Sequence, residues 1–299
     1  MRTGIWNKSN PVIVSEMKIK MRGWRTALSI TAYLGVLLLI GFLYYLAFVQ
    51  NSMYYNNSIN ARQQAGMEIY TILAVLQFSL ILLITPAQTA GTISSEREKQ
   101  TLDLLLSTKM SSFGIILGKL FSAMSFILLL IVTSIPLFSL VFLFGGVTPG
   151  DMIKLFLFYI VTAFAVGSIG MFYSTLFKRT VTATVVTYLT IFFLGLVSVI
   201  LGTYMVAIQM TGPSQPVNPS VPFVLYINPA VGIADIMARG SGGLLSMFGY
   251  GGATQSGVDF WILNSLVMIA IAVILLLVSV YKINPIRPVG GKRKEKGNR

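Results

Sequence analysis

The sequence contains no cysteine and no histidine among its 299 residues. Disulfide bonds, thiolate nucleophiles, Cys/His zinc sites and histidine acid–base catalysis are therefore excluded. Charged residues are also scarce: they make up 10% of the chain, compared with about 25% in a typical soluble domain. This composition argues against an ordinary soluble enzyme.

The chain is rich in long runs of apolar residues. Hydrophobic residues account for 55% of the chain, and the mean hydropathy is +0.79. A bilayer-spanning helix needs about 20 apolar residues. Six runs longer than this contain no charged residue: 26–61, 69–95, 120–150, 155–177, 180–234 and 260–281. We therefore predict an all-α integral membrane protein with six transmembrane helices at 27–49, 69–93, 120–144, 155–177, 181–208 and 260–281.

The basic residues predict the orientation of these spans. Six crossings place both termini on one side, and 19 of the 22 Lys and Arg residues fall in the tails and loops of that side. The exceptions are Arg62, Lys154 and Arg239. By the positive-inside rule, both termini are cytoplasmic in a multi-pass protein of the cell membrane, which we expect to be bacterial. The net charge of +13 is then explained by topology and by attraction to anionic membrane lipids, not by nucleic-acid binding.

Three segments follow from these spans: a cytoplasmic tail at 1–26, a six-span domain at 27–281 and a basic cytoplasmic tail at 282–299. The first tail contains NPVIVSEMKIKMRGWR at residues 10–25. Apolar residues recur in it at helical spacing, with basic residues on another face, which predicts an amphipathic helix in the membrane interface. This helix either passes movement into the first span or is a passive anchor; its marker residues are Ile13, Met17, Met21, Arg22 and Trp24.

The second cytoplasmic loop reads SSEREKQTLDLLLSTKMSSFGIILGKL from Ser94 to Leu120. Its leucines 102, 105 and 106 share one helical face, which predicts a short amphipathic helix. Such a helix is either a docking element or simply lies on the membrane. Glu96 and Glu98 are not a catalytic pair, because side chains two residues apart point to different sides of a helix.

The segment 209–259 holds five of the eleven prolines but keeps apolar stretches such as 222–237. This stretch is too short and too interrupted to cross the bilayer. We predict one or two re-entrant helices that dip into the outer leaflet before the last span, where protein covers their broken backbone. The alternative is a flexible extracellular loop.

None of the six predicted spans contains a charged residue, which disfavours proton- or sodium-coupled carriage. The small residues at positions 163, 167, 170, 195, 198 and 202 favour close helix packing, either within the chain or in a dimer seam. A transport pathway would be lined by neutral polar and aromatic groups and would suit lipids, amphipathic peptides or hydrophobic drugs. The candidates for this lining are Gln77, Gln88, Thr187 and Tyr188.

The segment EREKQTLDLLLST at 96–108, preceded by TISS and followed by SSFGIILGKL, resembles the permeases of type-2 ABC (ATP-binding cassette) exporters. The N-terminal NPVIVSEMKIKMRGWR is similar to their interfacial helix, and INPAVGIADI at 227–236 is similar to their Asn-Pro element before the last span. The resemblance covers nearly the whole chain. Lys109 departs from it, because many relatives have proline after the threonine.

The resemblance implies a coupling helix from Glu98 to Thr108, seated in a cleft of a cytoplasmic ATPase. The coupling residues are Glu96, Arg97, Glu98, Thr101, Leu102, Asp103, Leu105, Leu106 and Thr108. The resemblance also implies that re-entrant helices at 222–250 form an outer gate, marked by Asn228, Pro229 and Asp235. Two permeases, identical or related, would pair around a central pathway.

The chain itself lacks a phosphate-binding loop. The motif G-x-x-x-x-G-K-[ST] is needed to cradle the nucleotide phosphates, and the two Gly-Lys pairs are followed by Leu120 and Arg293. We therefore expect no enzymatic activity and no cofactor on this chain, with ATP and magnesium bound by the partner. The alternatives are a non-transporting membrane scaffold or sensor subunit and an ATP-independent carrier or channel.

Overall fold

The computed structural model describes residues 23–52, 59–101, 112–211, 221–238 and 259–283. Within these ranges the regular structure is helical and no strand is present. The described α-helices are α1 Trp24–Ser52, α2 Ile59–Thr89, α3 Ser94–Glu98, α4 Ser112–Ser139, α5 Pro149–Leu176, α6 Thr180–Thr211, α7 Pro229–Ala238 and α8 Phe260–Ile283. Two 3₁₀ helices, Leu140–Leu143 and Phe223–Ile227, follow α4 and precede α7.

Six of these helices are long and apolar enough to cross a membrane: α1, α2, α4, α5, α6 and α8. The all-helical class and the six spans are therefore confirmed. Two helices begin well before the predicted spans, α2 at Ile59 and α4 at Ser112. The predicted spans begin just after the charged residues Glu68 and Lys119. In the structure both residues lie inside the helices, and each has a polar partner on another element.

Helix α5 lies at the centre of the bundle and packs against α2, α4, α6 and α8. Of the residues in its most apolar stretch, 61% are buried, compared with 11% in α1 and 17% in α6. Phe138 of α4 packs edge-on against Phe156 of α5, which in turn packs edge-on against Tyr159. Since α1 and α6 leave most of their apolar surface uncovered, the chain needs an apolar environment around it.

The glycines of α5 allow close contact with α2 and α4. A Cβ atom added at Gly167 would lie 2.9 Å from Met124 Sδ, and one at Gly170 would overlap the Thr89 hydroxyl. On α6, a Cβ at Gly202 would overlap the Leu225 side chain. These three glycines therefore serve packing within the chain. Gly195 differs, because a Cβ built there meets no described atom within 4 Å.

The start of α5 is defined by local chemistry. The Thr148 hydroxyl accepts from the Asp151 amide and the Asp151 carboxylate accepts from the Thr148 amide, forming a capping box, and Pro149 occupies the first helical position. Gly146 precedes the cap with φ of 87°. A Cβ at Gly146 would lie 2.6 Å from the Gln63 carbonyl oxygen, so only glycine fits where this turn approaches α2.

Candidate coupling site

Helix α3 lies against the end of α5, after a turn at 90–93 that follows α2. The Ser174 hydroxyl of α5 accepts hydrogen bonds from the Ile93 amide at 2.8 Å and the Ser94 amide at 3.0 Å. Ile93 and Ser94 are fully buried. One side chain of α5 thus satisfies two amides at the start of α3 and fixes the position of this short helix.

Glu96 connects α3 to α4. Its Oε1 atom lies 2.5 Å from Lys119 Nζ, and the Lys119 side chain is only 5% exposed. A charge-assisted bond of this kind is strong where water is excluded, and removing either partner leaves a buried charge behind.

Arg97 and Glu98 connect α3 to α5 and α6. The Arg97 guanidinium donates to the Thr175 carbonyl at 3.2 Å, in the last turn of α5, where unpaired carbonyls favour a cation. The Glu98 carboxylate accepts from the Thr180 amide at 3.1 Å and from the Thr180 hydroxyl at 2.6 Å, at the first residue of α6. These two hydrogen bonds lower the pKa of the Glu98 carboxyl. Three consecutive charged side chains therefore bind three different spanning helices; we call Glu96, Arg97 and Glu98 with their partners the three-helix clamp.

Helix α3 ends immediately after the clamp. Gln100 has φ of 57°, its amide donates to the Arg97 carbonyl, and the Thr101 amide donates to the Glu96 carbonyl at 2.9 Å. This is the Schellman pattern of a terminated helix. The prediction that one helix runs from Glu98 to Thr108 is therefore wrong at its start, because the left-handed backbone at Gln100 breaks it. The predicted coupling residues Leu102, Asp103, Leu105, Leu106 and Thr108 lie outside the described residues and stay predictions.

A second polar cluster joins the segment before α8 to its neighbours. Asn228 Oδ1 accepts from the Ala230 amide at 2.8 Å, which caps α7. Asn228 Nδ2 donates to Ser198 Oγ at 2.8 Å and to the Gly195 carbonyl at 3.1 Å, both on α6. From α8, Asn264 Nδ2 donates to the carbonyls of Tyr226 at 2.8 Å and Asn228 at 3.0 Å. We call Asn228, Ser198 and Asn264 the amide latch.

Helix α7 itself has ten residues. At 1.5 Å per residue it extends about 15 Å, half of what a bilayer crossing requires. Pro229 begins it, and the Asp235 carboxylate accepts from the Trp261 amide at 3.1 Å, near the start of α8. Its length agrees with a re-entrant helix, and its place in an outer gate stays a prediction.

A family model described as ABC-2 family transporter protein matches residues 49–281, a stretch that contains both the three-helix clamp and the amide latch. The chain belongs to this family. It is thus a multi-pass membrane permease subunit of an ABC transporter, not itself an ATPase, and the family implies pairing with an ABC ATPase. No curated protein matches the chain.

The predicted interfacial helix of this permease is described only at its end. Ile13, Met17, Met21 and Arg22 lie outside the described residues. Trp24 is the first residue of α1, and its side chain is 83% exposed. This position is compatible with contact to lipid headgroups, and the interfacial role stays a prediction.

The four predicted pathway residues lie in different surroundings. Gln77 and Thr187 are fully buried within the single chain, and the Thr187 hydroxyl donates to the Ala183 carbonyl of its own helix. The Tyr188 hydroxyl donates to the Leu83 carbonyl and so connects α6 to α2. Gln88 is half-buried. The structure does not bring these four side chains together, and their role in a pathway stays a prediction.

Four residues that hold these elements were not singled out from the sequence: Lys119 and Thr180 of the clamp, Ser174 at the start of α3 and Asn264 of the latch. Lys119 was counted as a loop cation, although it is followed directly by an apolar run. Asn264 is an isolated amide inside the last apolar run, and a polar group in such a place usually has a partner. Ser174 and Thr180 carry no comparable signal, because hydroxyls are common in membrane helices.

Proposed function

We propose that this permease is the membrane subunit of an ATP-driven exporter of a hydrophobic or amphipathic substrate across the cytoplasmic membrane. A separate ATPase supplies the work, and a second permease, identical or related, completes the pathway. The observation that carries the proposal is the three-helix clamp. It connects the start of the predicted ATPase-docking segment to α4, α5 and α6 within three residues.

The clamp supports a mechanical role for α3. Residues 102–111 follow α3 after only three residues, so a force on that segment acts first on a short helix held at both ends. The Ser174 hydroxyl holds the start of α3, and the charged side chains hold its end. A push on the segment is therefore passed to three spans together and is not absorbed by a flexible loop.

In this scheme, ATP bound by the partner ATPase is the ligand, and the permease pair is the element that switches between two conformations. Closure of the ATPases tilts α4, α5 and α6 through the clamp. The amide latch, which contacts the middle of α6 at Gly195 and Ser198, then has to release α7 for the pathway to open outward. This order of events assigns transmission to the clamp and gating to the latch.

The distribution of charge supports the substrate class. In the described parts of the six spanning helices, charged residues lie within ten residues of a helix end, as Glu68, Lys119 and Lys154 do. The middle of the bundle is therefore neutral, which favours apolar or amphipathic cargo over ions.

Co-purification tests the proposal directly. The tagged full-length chain, solubilised gently from its host membrane, should carry a stoichiometric ATPase. The natural sequence lacks cysteine, so a single cysteine at Asp103 should cross-link to that ATPase. Recovery of the permease without any ATPase would overturn the proposal and favour a scaffold or an ATP-independent carrier.

The Leu105→Asp variant sharpens this test. A charge on the predicted apolar docking face should abolish ATPase association while membrane insertion stays normal, because a buried unpaired charge is costly. Ser107→Asp, on another face of the same predicted helix, is the matched control and should retain the ATPase. Equal retention by both variants would contradict docking through the leucine face.

A further inference from the structure

A cavity of about 90 Å³ lies where α5, α6 and α8 meet the residues that lead into α7. Its wall consists mainly of aliphatic side chains, including those of Val166, Ile169, Leu194, Met268 and Ile271. The segment Ile227–Ala230 closes one side, so the cavity adjoins the amide latch. None of the predicted pathway residues contributes to this wall.

The chemistry of the wall selects an apolar ligand. Among the described residues that line the cavity, Asn228 alone has a polar side chain. Its oxygen accepts from Ala230, and its nitrogen donates to Ser198 and Gly195. The volume exceeds the roughly 10–15 Å³ that one water requires, but a buried water also needs two to four polar partners. The wall therefore favours hydrocarbon over water, ions or sugars.

The position of the cavity identifies the source of that hydrocarbon. Ile191, Leu194 and Gly195 on α6 are half-buried, and their neighbours Phe192, Phe193 and Leu196 are exposed. Since α6 is a spanning helix, this exposed apolar surface lies at membrane depth, and the acyl chains of lipids can reach it wherever a second permease does not cover it. At Gly195 the missing side chain leaves open space between that surface and the cavity wall.

We propose that this cavity binds the end of one acyl chain of a membrane lipid, which enters beside Gly195 and packs against the segment Ile227–Ala230. The bound chain fills space next to the amide latch and braces α7 against α6. Lipid occupancy would then favour the closed arrangement of the latch. The inference depends on the membrane-spanning placement of the helices and not on transport or on the ATPase.

Photolabelling in a defined bilayer tests the site. The purified full-length chain is reconstituted in phosphatidylcholine that contains a lipid with a diazirine in its acyl chain, and labelled residues are mapped by mass spectrometry. Met268 and Met124 are matched probes, because both are 4% exposed and only Met268 lines the cavity. The proposal predicts labelling at Met268 several-fold above Met124; equal labelling of the two would overturn it.

A variant that fills the opening beside Gly195 provides the second test of the site. Gly195→Phe should remove the labelling at Met268, whereas Gly35→Phe should leave it unchanged. Both glycines lie on spanning helices with open space around a built Cβ, and Gly35 does not line the cavity. If Gly195→Phe fails to fold, Ile191→Trp narrows the same opening and should lower the labelling. Undiminished labelling in a folded variant of either kind would contradict a bound acyl chain.

Discussion

The three-helix clamp and the amide latch solve the same problem with different chemistry. Each holds a short helix against spanning helices through side-chain hydrogen bonds, and their contacts with α6, at Thr180 and Ser198, lie about 27 Å apart. The clamp uses two carboxylates, a guanidinium and an ammonium, whereas the latch uses two carboxamides and a hydroxyl. The difference follows from the surroundings, because a charge deeper in the bilayer costs about 2.5–3.5 kcal/mol or more.

The two sites therefore also differ in the free energy needed to break them. Breaking a buried ion pair by removing one partner costs about 3–5 kcal/mol. A neutral hydrogen bond contributes only about 0.5–1.5 kcal/mol. We therefore expect the clamp to stay closed while the permease works and the latch to be the part that opens.

The largest effect is expected at the clamp. Lys119→Met leaves the Glu96 carboxylate buried without its cation and should lower the free energy of unfolding by about 3–5 kcal/mol. The measurement is thermal unfolding of the purified permease in detergent. The double variant Lys119→Met with Glu96→Gln removes both charges and should recover part of the loss. A single variant as stable as the double variant would contradict a strong ion pair at this position.

A smaller effect is expected at the latch. Asn264→Leu leaves the Tyr226 carbonyl without its side-chain donor and removes one of the three donors to the Asn228 carbonyl, and should cost about 1–3 kcal/mol. Amide hydrogen exchange should rise across 223–238 and stay unchanged at 94–98. Ser265→Ala is the control, since the Ser265 hydroxyl donates only within α8, to the Trp261 carbonyl. Faster exchange at 94–98 in Asn264→Leu would show that the two sites are not separate.

The smallest effect concerns Glu98, whose side chain faces solvent. The hydrogen bonds from Thr180 lower the pKa of this carboxyl, so its contribution is present above the ordinary glutamate value of about 4.3. This contribution to stability is lost as the pH falls through the lowered pKa that Glu98 has in the folded protein. Exchange of the Thr180 amide should therefore accelerate below about pH 4, beyond the intrinsic pH dependence. Glu98→Gln should remove this acid-induced step, and an unchanged step in that variant would assign it to another group.

The sequence was sufficient for the number of spans, because each apolar run is long enough by itself to predict a membrane helix. The helix starts at Ile59 and Ser112 could not be predicted, since Glu68 and Lys119 are accommodated by partners from distant parts of the chain. The break after Glu98 was also missed, because the left-handed position is a glutamine where such an end usually has glycine. Asn228 was found because INPAVGIADI at 227–236 resembles the Asn-Pro element of the family, whereas Asn264 had only its isolation among apolar residues to mark it.

The most direct test of the division between clamp and latch is a pair of distances in the assembled transporter with its ATPase. Spin labels on cysteines at Lys99 and Lys178 report the clamp, and labels at Ala230 and Val197 report the latch; all four positions are exposed, and the natural chain contributes no competing cysteine. On adding ATP, the account predicts an unchanged distance across the clamp and a longer distance across the latch. A longer distance between 99 and 178 with an unchanged latch would contradict it.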